Sequence, residues 1–123
     1  MRAVPTQRRI LEAARYVVSF PERISVEERA ERVRMRETLA KHGRMIVVSA
    51  LREIARPTPS WPEVAELAVC SHSAAMSDFE RWGAMPWRDR ANWLDLVERV
   101  ADTMADEEQK RSEANAANLR GSD

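Results

Sequence analysis

The sequence predicts an all-α fold, with five or six helices, an embedded helix-turn-helix and a long C-terminal helix. Apolar residues recur at spacings of three and four along most of the 123 residues, and no useful length of chain shows the alternation of a strand. Prolines and capping sequences separate the helical stretches. Because the chain is 44% hydrophobic and 33% charged, it suits one compact domain, expected at residues 1–118 with a disordered tail at 119–123.

The first two helices are predicted from capping residues at their starts. Thr6 is the expected N-cap of a helix that ends at Pro21, because proline cannot continue the helical hydrogen bonding. Ser25 and Glu28 form a capping box for a second, strongly charged helix, which Gly43 is expected to end. The apolar stripe of the first helix consists of Ile10, Leu11, Ala14, Val17 and Val18.

A third helix is predicted from Arg44 onward, where the sequence is apolar on nearly every side, as expected at the centre of a fold. Its apolar residues are Met45, Ile46, Val47, Val48, Ala50, Leu51, Ile54 and Ala55. Pro57 and Pro59 prevent its continuation, so residues 56–59 are predicted to form a short linker.

Residues 60–83 have the pattern of two short helices joined by a tight turn, the helix-turn-helix motif. Ser60 and Glu63 form a capping box for the first of these helices, and Ser71 is the expected N-cap of the second. The residues spaced to face the inside of the corner are Val64, Ala68, Cys70, Ala75, Phe79 and Trp82. Val69 occupies the turn position usually given to glycine, so we expect a distorted or differently built turn.

The longest helical pattern begins at Trp87, and it is expected to continue toward Ala117 because the acidic residues 106–108 are unfavourable at a helix C-terminus. The residues predicted to face the core are Trp87, Ala91, Leu94, Val97, Ala101 and Met104. An adjoining apolar strip consists of Trp93, Leu96 and Val100. This strip predicts a homodimer through the C-terminal helix, unless the first helix covers it in a monomer.

The helix-turn-helix segment resembles a known family. The run Ser60-Trp61-Pro62-Glu63-Val64, followed by His72-Ser73, is similar to the S-L-P-E-I and D-H-[ST]-T elements of the C-terminal DNA-binding domain of the bacterial replication initiator DnaA. The segment Arg44-Met45-Ile46-Val47-Val48 is similar to the arginine-led helix that precedes them in that family. The resemblance covers about a third of the chain. It implies that His72 and Ser73 contact bases and that Arg81 is the basic residue later on the same helix.

Several departures from the family pattern limit what the resemblance implies. Ser71 replaces the family's aspartate, and Ala74 replaces a threonine. The turn is one residue shorter, and the linker before Ser60 is longer. The resemblance therefore implies DNA binding without the family's base preference, and replication initiation itself is not implied.

The second helix of the motif is the candidate recognition helix, because its first turn can meet a phosphate and base edges in the major groove. The candidate DNA-binding residues are Arg36, Arg44, Ser71, His72, Ser73, Met76, Ser77 and Arg81. Asp78 and Glu80 make this helix locally acidic, so positive charge is expected from the earlier helices. Residues 1–56 hold 13 Arg and Lys against 7 Asp and Glu, although the net charge of the chain is zero. The candidate sources are Arg29, Arg32, Arg36, Lys41, Arg44 and Arg52.

These features predict a sequence-specific double-stranded DNA-binding protein, a small bacterial or phage transcription regulator. The alternative is a helical protein-interaction or assembly module, such as a phage packaging adaptor, in which the helical corner is only architecture. The two are distinguished by whether Arg36, Arg44 and Arg81 cluster on the same side as His72.

No pattern in the sequence is typical of an enzyme or a cofactor site. Three glycines cannot form a glycine-rich phosphate loop, and Cys70-Ser71-His72 lacks further metal ligands because His42 is the only other histidine. We therefore expect no catalysis, no cofactor and no metal. The single cysteine, the lack of a long apolar run and the lack of a targeting pattern predict a cytoplasmic protein with no membrane association.

Overall fold

The computed structural model describes residues 6–19 and 27–120, and in these ranges the chain is helical and contains no strand. The helices are α1 (Gln7–Ser19), α2 (Arg29–Glu53), α3 (Trp61–Ala68), α4 (His72–Gly83) and α5 (Trp87–Arg120). One residue within α2 has non-helical backbone angles and divides that helix in two. The five helices therefore comprise six helical segments. The predicted all-α fold is confirmed.

The start of α1 is capped as expected. The backbone N–H of Arg9 donates to the Thr6 hydroxyl at 3.2 Å, which satisfies one of the amides that a helix leaves without a partner in its first turn. The predicted capping box of Ser25 and Glu28 lies partly outside the described residues, because Ser25 is not among them. Glu28 precedes the first residue of α2 and makes no side-chain capping bond there.

The predicted end of the second helix near Gly43 is confirmed to within one residue, because the helical backbone angles are interrupted at His42. The chain bends at His42, where φ is −138° and ψ is 37°, and then continues as the second half of α2. A Cβ atom at Gly43 would lie 2.9 Å from Cγ1 of Val18, so the glycine permits close approach of α1 to α2. Sequence alone does not separate this use of glycine from helix termination, because close packing depends on a partner helix.

The second half of α2 is the centre of the molecule, as predicted. All six residues from Met45 to Ala50 are buried, and α2 packs against each of the other four helices. This continuous burial explains why the segment is apolar on every side. The core around it is completed by large buried side chains from four helices, namely Ile10, Val64, Trp82, Trp93 and Val97.

The core-facing side of α5 differs from the prediction. Trp93 and Leu96 are buried, whereas Trp87 and Ala91, predicted to face the core, are exposed. Among the described residues α1 packs against α5, and Tyr16 of α1 lies beside the same pocket as Leu96 and Val100. The predicted homodimer surface on Trp93 and Leu96 is therefore part of the interior of one chain.

The C-terminal part of α5 extends beyond the rest of the domain. Every residue from Ala105 to Leu119 is exposed, and the helix, about 50 Å long, includes two residues that we assigned to a disordered tail. Residues 121–123 lie outside the described range. An ion pair between Arg9 and Glu108 connects α1 to this extension. Within the described ranges, no helix combines the length and the apolar character that crossing a membrane requires.

Candidate nucleic-acid interface

The helical corner begins with the capping box that the sequence predicts. The hydroxyl of Ser60 accepts from the backbone N–H of Glu63 at 3.4 Å, and the Glu63 carboxylate accepts from the backbone N–H of Ser60 at 3.4 Å. Pro62 lies in the first turn, where its missing N–H leaves no bond unmade. These local interactions set the start of α3, an eight-residue helix.

The turn between α3 and α4 has left-handed backbone geometry at Val69, with φ and ψ both 55°. The backbone N–H of Cys70 donates to the carbonyl of Ala65 at 3.0 Å, and that of Val69 donates to the carbonyl of Glu66 at 3.2 Å. These two bonds close the helix end in the arrangement that glycine usually permits. The expectation of a differently built turn was wrong, since the turn keeps the usual conformation with a β-branched residue in it.

Ser71 caps α4, as predicted, because its hydroxyl accepts from the backbone N–H of Ala74 at 3.1 Å. This bond fixes the direction of the first turn of α4 and engages the hydroxyl that was a candidate DNA contact. The two residues that follow, His72 and Ser73, are both exposed.

The inner face of α4 is fastened to α2 and α3. Ala75 and Trp82 are buried, and the indole N–H of Trp82 donates to the Glu53 carboxylate of α2 at 2.9 Å. Phe79 is half-buried and meets Trp61 of α3 edge to face, with ring centroids 5.5 Å apart. The assignment of the inner face from the sequence is therefore confirmed.

Arg52 supports this packing and is not available as a free surface charge. Its guanidinium lies 4.4 Å from the centre of the Trp61 ring, and it also donates to the carbonyl of Pro59 at 2.7 Å. The side chain thus ties α2 to the linker and to the start of α3. The sequence pattern predicts Arg52 instead among the arginines that attract an anionic partner.

The outer face of α4 is open along its length. The predicted contacts on and before this helix are all exposed, namely Ser71, His72, Ser73, Met76, Ser77 and Arg81. At 100° per residue, Ser73, Ser77 and Glu80 form the middle of the exposed face, while Met76 and Arg81 lie at its opposite edges. The two serines allow close approach of a broad surface to the helix backbone, whereas the Glu80 carboxylate adds a negative charge to the middle of this face.

Asp78 has a role that sequence analysis did not find. It is only 4% exposed, so our interpretation of it as a surface charge that repels DNA was wrong. Its carboxylate accepts from Nε of Arg44 at 2.6 Å and from Nη2 of Arg44 at 3.4 Å. It also accepts from Nη2 of Arg81 at 2.8 Å. One buried carboxylate therefore joins an arginine of α2 to an arginine of α4.

The three charged groups form a cluster with an excess positive charge at the protein surface. The side chains of Arg44 and Arg81 are 47% and 53% exposed, so the guanidinium groups reach the solvent while the carboxylate does not. The hydrogen bond to Asp78 raises the pKa of Arg44 above its ordinary value despite partial burial, so Arg44 stays protonated.

Of the predicted basic contacts, the structure brings Arg44 and Arg81 together at the edge of α4 opposite His72, and it leaves Arg36 apart. The clustering of all three arginines on the side of His72, which would favour DNA binding over an assembly module, is therefore not found. A groove between α2, α4 and α5 is lined by residues of both charges, namely Arg34, Lys41 and Arg81 together with Glu37 and Asp89, and by Thr38, His42, Met45 and Met85. Arg36 is exposed, but at 100° per residue it points away from Thr38 and from this groove. Lys41 and His42 are therefore nearer to the outer edge of α4 than Arg36 is.

No family model, curated protein or solved structure matches the chain. In residues 6–19 and 27–120, no group of three or more His, Cys, Asp or Glu side chains is arranged to hold a metal ion. The geometry of the helical corner and its arginines is thus the basis for a functional proposal.

Proposed function

We propose that the protein binds double-stranded DNA with sequence specificity by inserting α4 into the major groove. The observation that carries this proposal is the capped corner of α3 and α4, in which the inner face of α4 is buried and its outer face is exposed from the first turn. In helix-turn-helix proteins the second helix meets base edges with its N-terminal residues while the first helix crosses the backbone.

The exposed residues of α4 supply suitable chemistry for base edges. His72 can donate or accept a hydrogen bond according to its protonation, and the hydroxyls of Ser73 and Ser77 can do both. Met76 is 48% exposed, which makes its apolar end available to a thymine methyl group. These four side chains are the proposed base contacts.

The surrounding cations supply suitable chemistry for phosphates. Arg44 and Arg81 lie at one edge of α4 and together exceed the single negative charge of Asp78, and this local excess of positive charge favours DNA although the whole chain is neutral. The resemblance of residues 44–82 to the DNA-binding domain of DnaA supports the same assignment, since it matches His72 and Ser73 to base-contacting positions. A cytoplasmic transcription regulator of a bacterium or phage fits this proposal.

The experiment that tests the proposal is selection from a random duplex library with the purified protein. We expect enrichment of a short motif, and Arg44→Ala should weaken binding to all duplexes. Arg8→Ala is the matched control, because Arg8 is 90% exposed on α1 and its replacement removes the same charge away from α4. Absence of any enriched motif would contradict sequence-specific binding.

A second candidate function is favoured by one observation, the exposure of α5 from Ala105 to Leu119. These fifteen consecutive exposed residues leave most of the surface of this segment open to a protein partner. We propose a protein-interaction or assembly module as the alternative, with a homodimer through this exposed part of α5 as one form of it. Cross-linking from Ala105→Cys and Ala117→Cys would detect such a partner.

A further inference from the structure

We infer that Asp78 is a positioning residue, which holds Arg44 and Arg81 together as a clamp for one phosphate group of the DNA backbone. This inference rests on the proposed function and adds to it a specific phosphate site and the residue that organises it. The ligand class is a phosphodiester, and inorganic phosphate presents the same chemistry.

The clamp follows from the bonds that the carboxylate makes. Oδ1 of Asp78 accepts from Nη2 of both arginines, so the two guanidinium groups are held as close neighbours. Each guanidinium carries five N–H donors. Arg44 uses two of them on Asp78 and Arg81 uses one, which leaves three and four for another acceptor. A phosphate, with oxygens on several sides, can accept from both arginines at once.

The buried carboxylate provides a rigid support for two flexible side chains. Asp78 lies on the inner face of α4, four residues before Trp82, which is itself buried and bonded to Glu53. Free arginine side chains lose rotamer freedom when they bind a ligand, and this loss weakens binding. Because Asp78 already orders both side chains, less freedom remains to be lost when a phosphate arrives.

The location of the clamp matches a backbone contact and not a base contact. Arg81 follows His72 by nine residues, which places it about 13 Å along the helix and on the opposite edge of the outer face. Helix-turn-helix proteins contact phosphates on both sides of the recognition helix, and such contacts fix its register in the groove. The clamp thus sets where His72 and Ser73 meet the bases.

Asp78→Asn separates two effects on DNA affinity. Loss of the ordering of Arg44 and Arg81 lowers the affinity, whereas loss of the negative charge raises it. The substitution keeps the shape of the side chain and raises the local charge by one unit, so attraction alone predicts tighter DNA binding. The clamp predicts binding that is weaker by about tenfold, since an amide holds the two guanidinium groups less firmly than a carboxylate does. Titration of a selected duplex by fluorescence anisotropy measures the change.

Asp106→Asn is the matched control, because it makes the same chemical change at an exposed position of α5, outside the proposed binding surface. We expect unchanged binding for this variant. Arg81→Lys is a second test that does not disturb the interior, since Arg81 is half-exposed. It keeps the positive charge but loses the planar fork, and the clamp predicts about tenfold weaker binding for it as well.

The Nε–H resonances of Arg44 and Arg81 give a readout that does not depend on DNA. Titration with inorganic phosphate should shift both resonances along one binding curve, and in Asp78→Asn the two shifts should become smaller and separate. If phosphate shifts both resonances but no duplex is enriched, the proposed function is wrong and the clamp stands. If a duplex is enriched and Asp78→Asn, with wild-type helicity, binds it as tightly as wild type, the clamp is wrong and DNA binding stands.

Discussion

Trp82 of α4 donates its indole N–H to the carboxylate of Glu53 in the last turn of α2, with 2.9 Å between the two atoms. Trp82 is 1% exposed, so this one residue contributes both apolar burial and a part-buried hydrogen bond to the attachment of α4. The candidate recognition helix is therefore mounted on the central helix of the domain.

Two different replacements of Trp82 should lower the free energy of unfolding by different amounts. Trp82→Ala is expected to reduce the free energy of unfolding by about 3–5 kcal/mol, because it removes a large buried side chain. Trp82→Phe keeps much of the apolar volume but loses the hydrogen bond to Glu53, so a loss of about 1–2 kcal/mol is expected. Urea unfolding followed by circular dichroism measures both values. Trp87→Ala is the control, because Trp87 is 71% exposed, and an equal loss there would contradict this assignment of burial.

Val69→Gly should stabilise the protein. Val69 has a left-handed backbone conformation that costs a side-chain-bearing residue about 1–2 kcal/mol, and its side chain is 79% exposed, so little packing is lost. After the entropic cost of glycine is subtracted, a gain of about 0.5–1 kcal/mol is expected. The same change at Val33, which is 49% exposed within α2, should instead destabilise by about 0.5 kcal/mol. Denaturation midpoints that move in the same direction for both variants would contradict the role of the turn.

Ser49→Ala should also stabilise the protein. Ser49 is fully buried in the second half of α2, and its hydroxyl has no hydrogen-bond partner among the described residues. Removing an unpaired buried polar group is expected to raise the free energy of unfolding by about 1 kcal/mol. Ala50→Ser is the matched reverse change at a position that is 1% exposed, and it should lower stability by a similar amount. A destabilised Ser49→Ala variant in equilibrium unfolding would show that the hydroxyl has a partner.

Charged replacements at Trp93 and Leu96 should unfold the chain and not dissociate a dimer. Both residues belong to the hydrophobic core, with 1% and 6% exposure, so Trp93→Glu places a charge in the core. We expect loss of helicity by circular dichroism. Sedimentation of a well-folded Trp93→Glu variant at half the wild-type mass would contradict the burial of this strip and restore it as a dimer surface.

Local signals in the sequence predicted the elements well, and long-range packing explains the errors. The caps at Thr6, Ser60 and Ser71 act within four residues, so the sequence around them is sufficient to place three helix starts. The exposed face of α5 depends on α1, which lies about 80 residues earlier in the chain. The sequence predicts the helix break near Gly43, whereas the close approach of Gly43 to Val18 is known only from the folded chain.

The sequence predicted which residues of α4 are exposed at the candidate site. It did not predict that a buried carboxylate joins two of the arginines there. The outer face of α4 follows from helical spacing, since Ala75 and Trp82 define the opposite side. The burial of Asp78 could not be predicted in the same way, because a carboxylate is buried only with partners and one partner, Arg44, is 34 residues distant. One sequence signal pointed to part of this cluster. Asp78 and Arg81 are three residues apart on one helix, and this spacing brings their side chains together.

The most direct test of DNA recognition by α4 compares the affinities for a selected duplex and for a shuffled duplex of equal length, at several salt concentrations. Wild type should prefer the selected duplex by about 1,000-fold or more, with affinities that fall steeply as salt rises. His72→Ala should reduce this preference with little effect on the shuffled duplex, whereas Arg44→Ala should weaken binding to both duplexes equally. Equal affinity of wild type for the two duplexes, unchanged by His72→Ala, would contradict sequence-specific recognition through α4.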